Sequence, residues 1–313
     1  MTRYRWHIVG HLPLLERLEK DIETDGLSHS YIFAGPPQIG KHSVALTLAH
    51  ILQCEQGYCY DCTTCSQISK GIHSETIEFR DDGEELGIDA IRDLLNRLYL
   101  TPSARYKIVI IERAERMTTA AANCLLKMLE EPPPQTLFIL TTDNIRELLP
   151  TVISRSRTLH FQTCSNTELL DFLSLEYMDR EPRTLELACE LSLGRPGVAF
   201  KILEDPDMME FYTMLYRDIN RFFAFNNIFE RFAYLQDLVE DSHKIGIFLD
   251  IFTHLARKKM IEGGSGTQSD TSCLGTGTDA RYLALLDKIV ASKTALRQHV
   301  NPRLLLENIM LSF

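Results

Sequence analysis

Residues 35–43 read Gly-Pro-Pro-Gln-Ile-Gly-Lys-His-Ser, a phosphate loop one residue short of the pattern G-x-x-x-x-G-K-[ST]. Gly35, Gly40 and Lys41 stand where that pattern needs them, and His42 stands where a Ser or Thr would hold Mg²⁺. The apolar run before the loop is strand-like and residues 44–52 after it are helix-like. In that context the loop's backbone N–H groups and the helix N-terminus face an anion. A Gly/Pro-rich turn without a phosphate role is the alternative, and the flanks weigh against it. Imidazole is a poor substitute for the hard oxygen ligands that Mg²⁺ selects. Ser43 cannot replace it, because one residue turns about 100° around a helix.

The rest of the first half follows the same logic. Strand signals at 31–35, 76–80, 107–112, 137–142 and 158–161 alternate with helical patterns around 12–25, 41–53, 88–99, 118–130 and 146–153. Such alternation predicts a mostly parallel sheet covered on both faces, with ligands beyond the carboxyl ends of its strands. The third strand ends on Glu112-Arg113. Glu112 can reach Mg²⁺ at a stretch, whereas Arg113 cannot orient water as a carboxylate does and would oppose a metal. Thr142, in the run Thr141-Thr142-Asp143-Asn144, is either a polar sensor of a γ-phosphate or part of a turn.

Four of the eight cysteines follow Cys54-x₄-Cys59-x₂-Cys62-x₂-Cys65. That spacing suits a closed, structural tetrahedral Zn²⁺, with His73 as an alternative ligand. A secreted disulfide scaffold is the weaker reading, since the other cysteines lie scattered. Arg155, in Ser154-Arg155-Ser156, is either a solvated helix-end arginine or an arginine finger offered in trans to another subunit's γ-phosphate.

Beyond residue 163 the strand signals stop. Short helices are expected over 165–205, broken at Gly194-Arg195-Pro196-Gly197, and a helical aromatic segment over 207–260. Its stripe of Phe222, Phe223, Phe225, Phe229 and Phe232 reads as bundle core rather than a cofactor box. The Gly/Ser/Thr-rich stretch 262–279 reads as a flexible insertion. A net charge of −10 argues against nucleic-acid binding by overall field. The absence of long apolar runs and of a signal-peptide pattern leads to the expectation of a cytoplasmic protein with no membrane partner.

Together these segments resemble the bacterial clamp-loader branch of AAA+ proteins. The residues that carry the likeness are Ile8-Val9-Gly10-His11, Ser28 to Pro36, the four cysteines, Leu125-Leu126-Lys127-Met128-Leu129-Glu130-Glu131-Pro132-Pro133 and Leu148 to Arg155. Beyond about residue 205 it rests on helical character and on Asn301 to Glu307. The first cysteine spacing is shorter than the family's, and Ser156 stands where the family often has cysteine.

The resemblance implies a RecA-like α/β P-loop domain with a parallel sheet (1–163, the zinc knot at 54–65), a small helical lid (164–207) and an all-α oligomerisation collar (208–313). It implies a hetero-oligomeric ring that places a sliding clamp on primed DNA, with ATP and Mg²⁺ in a neighbouring subunit and doubtful in this chain's own site. Motor subunits of the family carry a nucleotide-sensing lid arginine. Here Gly197 falls at its place, with Arg195 two residues earlier as the alternative. The leading expectation is therefore a loader subunit that does not hydrolyse ATP but lends Arg155 to a neighbour. One rival is a working ATPase motor subunit whose Mg²⁺ is held by Glu112, phosphates and water. The other is a zinc-knuckle nucleic-acid binder.

Overall fold

A computed structural model describes residues 4–99, 104–222, 242–264, 275–297 and 300–311. The first half alternates α1 (Leu12–Glu23), β1 (Ser30–Ala34), α2 (Lys41–Gln53), α3 (Thr63–Ser69), β2 (Thr76–Phe79), α4 (Ile88–Leu98) and β3 (Lys107–Ile111). It continues with α5 (Thr119–Glu130), β4 (Thr136–Thr142), α6 (Pro150–Ile153) and β5 (Arg157–His160). The five strands form one parallel sheet in the order β2-β3-β4-β1-β5.

Strand alternation sorts the core into two layers. Tyr31, Phe33, Ile108, Ile110, Leu137 and Ile139 pack on one face with Leu15, Leu18 and Leu48 of α1 and α2. Ile32, Val109, Ile111, Phe138 and Leu140 pack on the other with Ile91, Leu94 and Leu125 of α4 and α5. Strands buried on both faces must be apolar throughout, and this is why β1, β3 and β4 read as continuous apolar runs. Lys107 is buried at the start of β3, and its ammonium donates to the carbonyls of Leu98 (2.8 Å) and Arg97 (3.2 Å) at the C-terminal end of α4. A cation there satisfies carbonyls the helix leaves unpaired.

The expected helix over 146–153 is two pieces, a 3₁₀ turn at Ile145–Glu147 and the four-residue α6. Pro150 at the first position of α6 cannot extend a preceding helix. The predicted short helices beyond the sheet are α7 (Asn166–Glu176), α8 (Pro182–Ser192) and α9 (Pro196–Glu204). Leu193 and Gly194, both left-handed, separate α8 from α9.

The chain divides into two compact units, Met1–Phe200 and Lys201–Phe313. The second contains helices Pro206–Phe222, Ser242–Gly264, Gly275–Arg297 and Pro302–Leu311. Phe248 and Phe252 stack in its core, and Lys293 ties two helices through Asp250 (2.8 Å) and Thr253 (3.1 Å). The side chains of the aromatic stripe from Phe222 to Phe232 lie outside the described residues. The expected insertion over 262–279 narrows, because helices run to Gly264 and start again at Gly275. Residues 265–274 lie outside the described residues. Among the described residues no helix is long and apolar enough to cross a membrane.

Gly35 and Gly40 are glycines for different reasons. A Cβ at Gly35 would lie 2.5 Å from the Phe161 carbonyl oxygen, whereas one at Gly40 would meet nothing within 4 Å and only its φ of +101° favours glycine. We expect Gly35→Ala to lower unfolding free energy by about 2–3 kcal/mol and Gly40→Ala by about 1 kcal/mol in urea titrations.

Candidate functional site

The loop leaves β1 with the Gly35 N–H donating to the Thr142 carbonyl at 3.1 Å. Lys41 opens α2 and turns its ammonium back into the loop. It donates to the carbonyls of Gly35 (2.6 Å) and Pro36 (2.7 Å) and to Asp143 Oδ1 (2.7 Å), and its side chain is only 7% exposed. This supplies one acceptor for each N–H of the ammonium. Asp143, at the end of β4, is thus the partner of Lys41.

His42 is engaged as well. Its Nδ1 lies 2.8 Å from Glu112 Oε1 at the end of β3, and its Nε2 lies 3.0 Å from Glu78 Oε1 on β2. The ring N–H groups are not well aligned on these oxygens, so the contact is chiefly ionic. Burial alone would lower the His42 pKa, but the Glu112 and Glu78 carboxylates outweigh it and raise it to about 9. Burial would likewise raise Glu78, yet His42 and Arg80 hold it down at about 2. Glu112 is also held below the usual carboxylate range, chiefly by His42.

Arg113 adopts a left-handed backbone (φ 46°), with its N–H on Thr141 Oγ1 at 3.1 Å. Its guanidinium lies 3.1 Å from Asp81 and 3.6 Å from both Glu115 and Asp143. Arg116 joins Asp81 at 2.6 Å. Lys41, His42, Arg80, Arg113 and Arg116 therefore face Glu78, Asp81, Glu112, Glu115 and Asp143, and the cluster neutralises itself. Thr142 is fully buried, and its hydroxyl accepts the Asn144 N–H (3.1 Å) within its own turn.

These residues do not fit Mg²⁺. The hydroxyl ligand is absent, and the imidazole that replaces it already takes the carboxylates of Glu78 and Glu112. The loop is also covered. The Gly197 N–H at the start of α9 donates to the Gln38 carbonyl at 2.9 Å, and a Cβ at Gly197 would lie 3.0 Å from that oxygen. His11 reaches the Ile39 carbonyl at 3.1 Å. Arg195 is buried, its Nε donating to the Ser192 carbonyl at 3.2 Å.

The four cysteines converge, with all four Sγ atoms within 4.8 Å of one another. Cys54 lies 3.7 Å from Cys59 and 3.9 Å from Cys62. Tetrahedral thiolates at ~2.3 Å from a zinc ion would be ~3.8 Å apart, so the donor set fits a metal of that kind. The separations are far beyond a disulfide bond. The Cys62 N–H donates to Cys59 Sγ (3.4 Å) and the Cys65 N–H to Cys62 Sγ (3.3 Å), where Cys62 caps α3. Such bonds orient metal-ligating thiolates. Tyr58 stacks on His50 at 4.2 Å and on Tyr60 at 3.9 Å beside the knot. The ring of His73 bonds Thr76 at 3.0 Å instead of joining the cysteines.

Arg155 follows α6 at the surface. Its guanidinium lies 2.5 Å from Glu130 Oε1 and donates to the Thr151 carbonyl at 3.0 Å. Ser156 anchors this turn to β1 through Ser30, hydroxyl to hydroxyl at 2.7 Å.

Glu78, Asp81 and Glu130 were not legible as site residues. A glutamate within a short strand of a buried parallel sheet was the one available signal for Glu78, since a charge there needs a partner.

Residues 10–165 match the family described as DNA polymerase III, delta subunit. The chain is a member of the AAA+ clamp-loader family. Among its relatives, the tau subunit of DNA polymerase III from Bacillus subtilis is 31% identical over 206 residues, covering 63% of this chain and 36% of that protein. The delta' subunit from the same organism is 37% identical over 155 residues, covering 48% and 46%. The chain thus spans about a third to a half of the length of these curated relatives. A gamma subunit-related protein from Thermotoga maritima shares the fold over 95% of this chain and 97% of its own, with a TM-score of 0.52 and 21% identity. In this chain the Lys41 ammonium is held by the loop's own carbonyls and Asp143.

The bridging imidazole gives stability a definite pH dependence. The folded pKa of His42 lies above its ordinary value of 6.5, so its contribution is full below pH 6.5 and is lost as pH rises through about 9. Allowing for partial exposure, we expect this to be worth on the order of 1–2 kcal/mol. In His42→Gln that slope between pH 6.5 and 9 should vanish, measured as the difference in unfolding free energy from the parent. The Glu78 contribution runs the other way, present above its ordinary 4.5 and lost as pH falls towards 2.

Proposed function

We propose that this chain is the delta-prime-type subunit of a DNA polymerase III clamp loader, and that it does not hydrolyse ATP itself. The observation that carries the proposal is the pairing of His42 with both Glu112 and Glu78 while Lys41 is spent on its own loop and Asp143. In-line attack on a γ-phosphate needs a metal, a phosphate-binding cation and a water-orienting group. Here the first two positions are filled from within, and Arg113 stands at the third. In this reading the chain's own nucleotide site is retired.

In this reading the subunit acts through Arg155, offered in trans to ATP and Mg²⁺ in an adjoining subunit of a hetero-oligomeric ring. Sliding clamp and primed DNA are reached through that ring. Residues 164–207 form the lid and 208–313 the collar that joins the subunits, and the protein works in the cytoplasm. The four cysteines carry one structural zinc ion, a closed site with no catalytic position.

A gamma/tau-like motor with a weakened metal site is the second reading, favoured by the 31% identity to a tau subunit over 206 residues. The two separate in a reconstituted loader, with ATP turnover measured in the presence of clamp and primed DNA. Arg155→Ala should lower turnover by roughly threefold or more, and Lys41→Ala should leave it unchanged. Damage by Lys41→Ala would instead establish a working pocket in this chain and support the motor. Metal analysis of freshly purified protein should find about one zinc per chain, reduced in Cys59→Ala together with a lower melting temperature.

A further inference from the structure

The arginine offered to a neighbour is bound within its own subunit. Helix α5 ends on Glu130, with Glu131 and the prolines at 132–134 directly after it. Carboxylates at a helix C-terminus lie beside carbonyls that already carry negative partial charge, and a cation relieves both. Arg155 is that cation. One guanidinium nitrogen lies 2.5 Å from Glu130 Oε1, and the other donates to the Thr151 carbonyl at 3.0 Å, with Ser154 Oγ at 3.4 Å. Glu130 is 50% exposed and Arg155 33%, so the pair lies at the surface and a carboxylate is its strongest partner.

A guanidinium presents one planar fork, and a carboxylate and a phosphate compete for the same N–H groups. An exposed ion pair is weak enough to open when a better anion arrives. We infer that Glu130 is a positioning residue that holds Arg155 against the end of α5 until an adjoining subunit's triphosphate displaces it. This rests on the proposal that Arg155 acts in trans. The holding contact makes turnover at the neighbouring site depend on how closely the two subunits are brought together, and it restrains turnover in a loader that has not engaged its clamp and DNA.

The test is ATP turnover of the reconstituted loader without clamp or DNA, comparing the parent with Glu130→Gln, Glu130→Asp, Arg155→Ala and the Glu130→Gln/Arg155→Ala double variant. Gln keeps the shape of the side chain and removes its charge. Glu130→Gln should raise turnover by about two- to fivefold, the range an exposed ion pair supports, chiefly in kcat. Glu130→Asp, which keeps the charge, should stay near the parent, and the double variant should match Arg155→Ala alone. A merely structural role for Glu130 would change the melting temperature of the subunit, which should stay within about 1–2 °C. An unchanged or lowered turnover in Glu130→Gln, or a rise that persists without Arg155, overturns the inference. If Arg155→Ala itself leaves turnover at the parent level, with and without clamp and DNA, the arginine-finger reading fails and the holding role fails with it. If Arg155→Ala lowers turnover and Glu130→Gln does not raise it, only the holding role is lost.

Discussion

A parallel sheet collects the carboxyl ends of its strands along one edge, and here that edge carries Glu78, Glu112 and Asp143 within reach of the start of α2. Carboxylates gathered in a half-buried site repel one another unless cations join them. A P-loop machine meets that need with a bound metal. This chain meets it with Lys41, His42 and Arg113, which are fixed parts of the polypeptide. The loop, the strand ends and the turns after β3 and β4 all hang on those contacts. Removing His42 would leave the partly buried Glu112 without its counter-charge, which costs more than the pair contributes, whereas Asp143 would keep Arg113 if Lys41 were lost.

The same self-sufficiency explains why the loop is closed from above. The start of α9 settles on Gln38, and the missing side chain at Gly197 lets the two backbones approach to hydrogen-bonding distance. His11 closes on the Ile39 carbonyl from the other side. A Cβ at 197 would press on the Gln38 carbonyl oxygen at 3.0 Å, so the close approach favours glycine there.

The cysteine knot and Arg155 are built independently of that cluster. The knot depends on short spacings that let Cys62 cap α3 and point its sulfur at the other three. The turn holding Arg155 depends on Pro150 starting a four-residue helix and on the Ser156–Ser30 contact with β1. Both features are held by contacts of their own, separate from those of the nucleotide loop.

The order of strands and helices was legible because periodicity of two against three to four residues is written locally. Apolar runs such as Lys107–Ile111 lie within a residue of where they were expected. Pro150 also announced locally that residues 146–153 could not be one helix, although the period alone suggested it. The sequence by itself determined the parallel α/β class, the metal-ligand spacing of Cys54, Cys59, Cys62 and Cys65, and the defects at His42 and Arg113. It could not say what those defects do. Glu78 lies 36 positions from His42, and Asp143 is 102 from Lys41. Only the tertiary structure brings each pair within 3.0 Å, because sheet order and register, not spacing along the chain, decide which strand ends meet. A histidine that reads in sequence as a lost metal ligand is, in the folded chain, the charge that stands between two carboxylates.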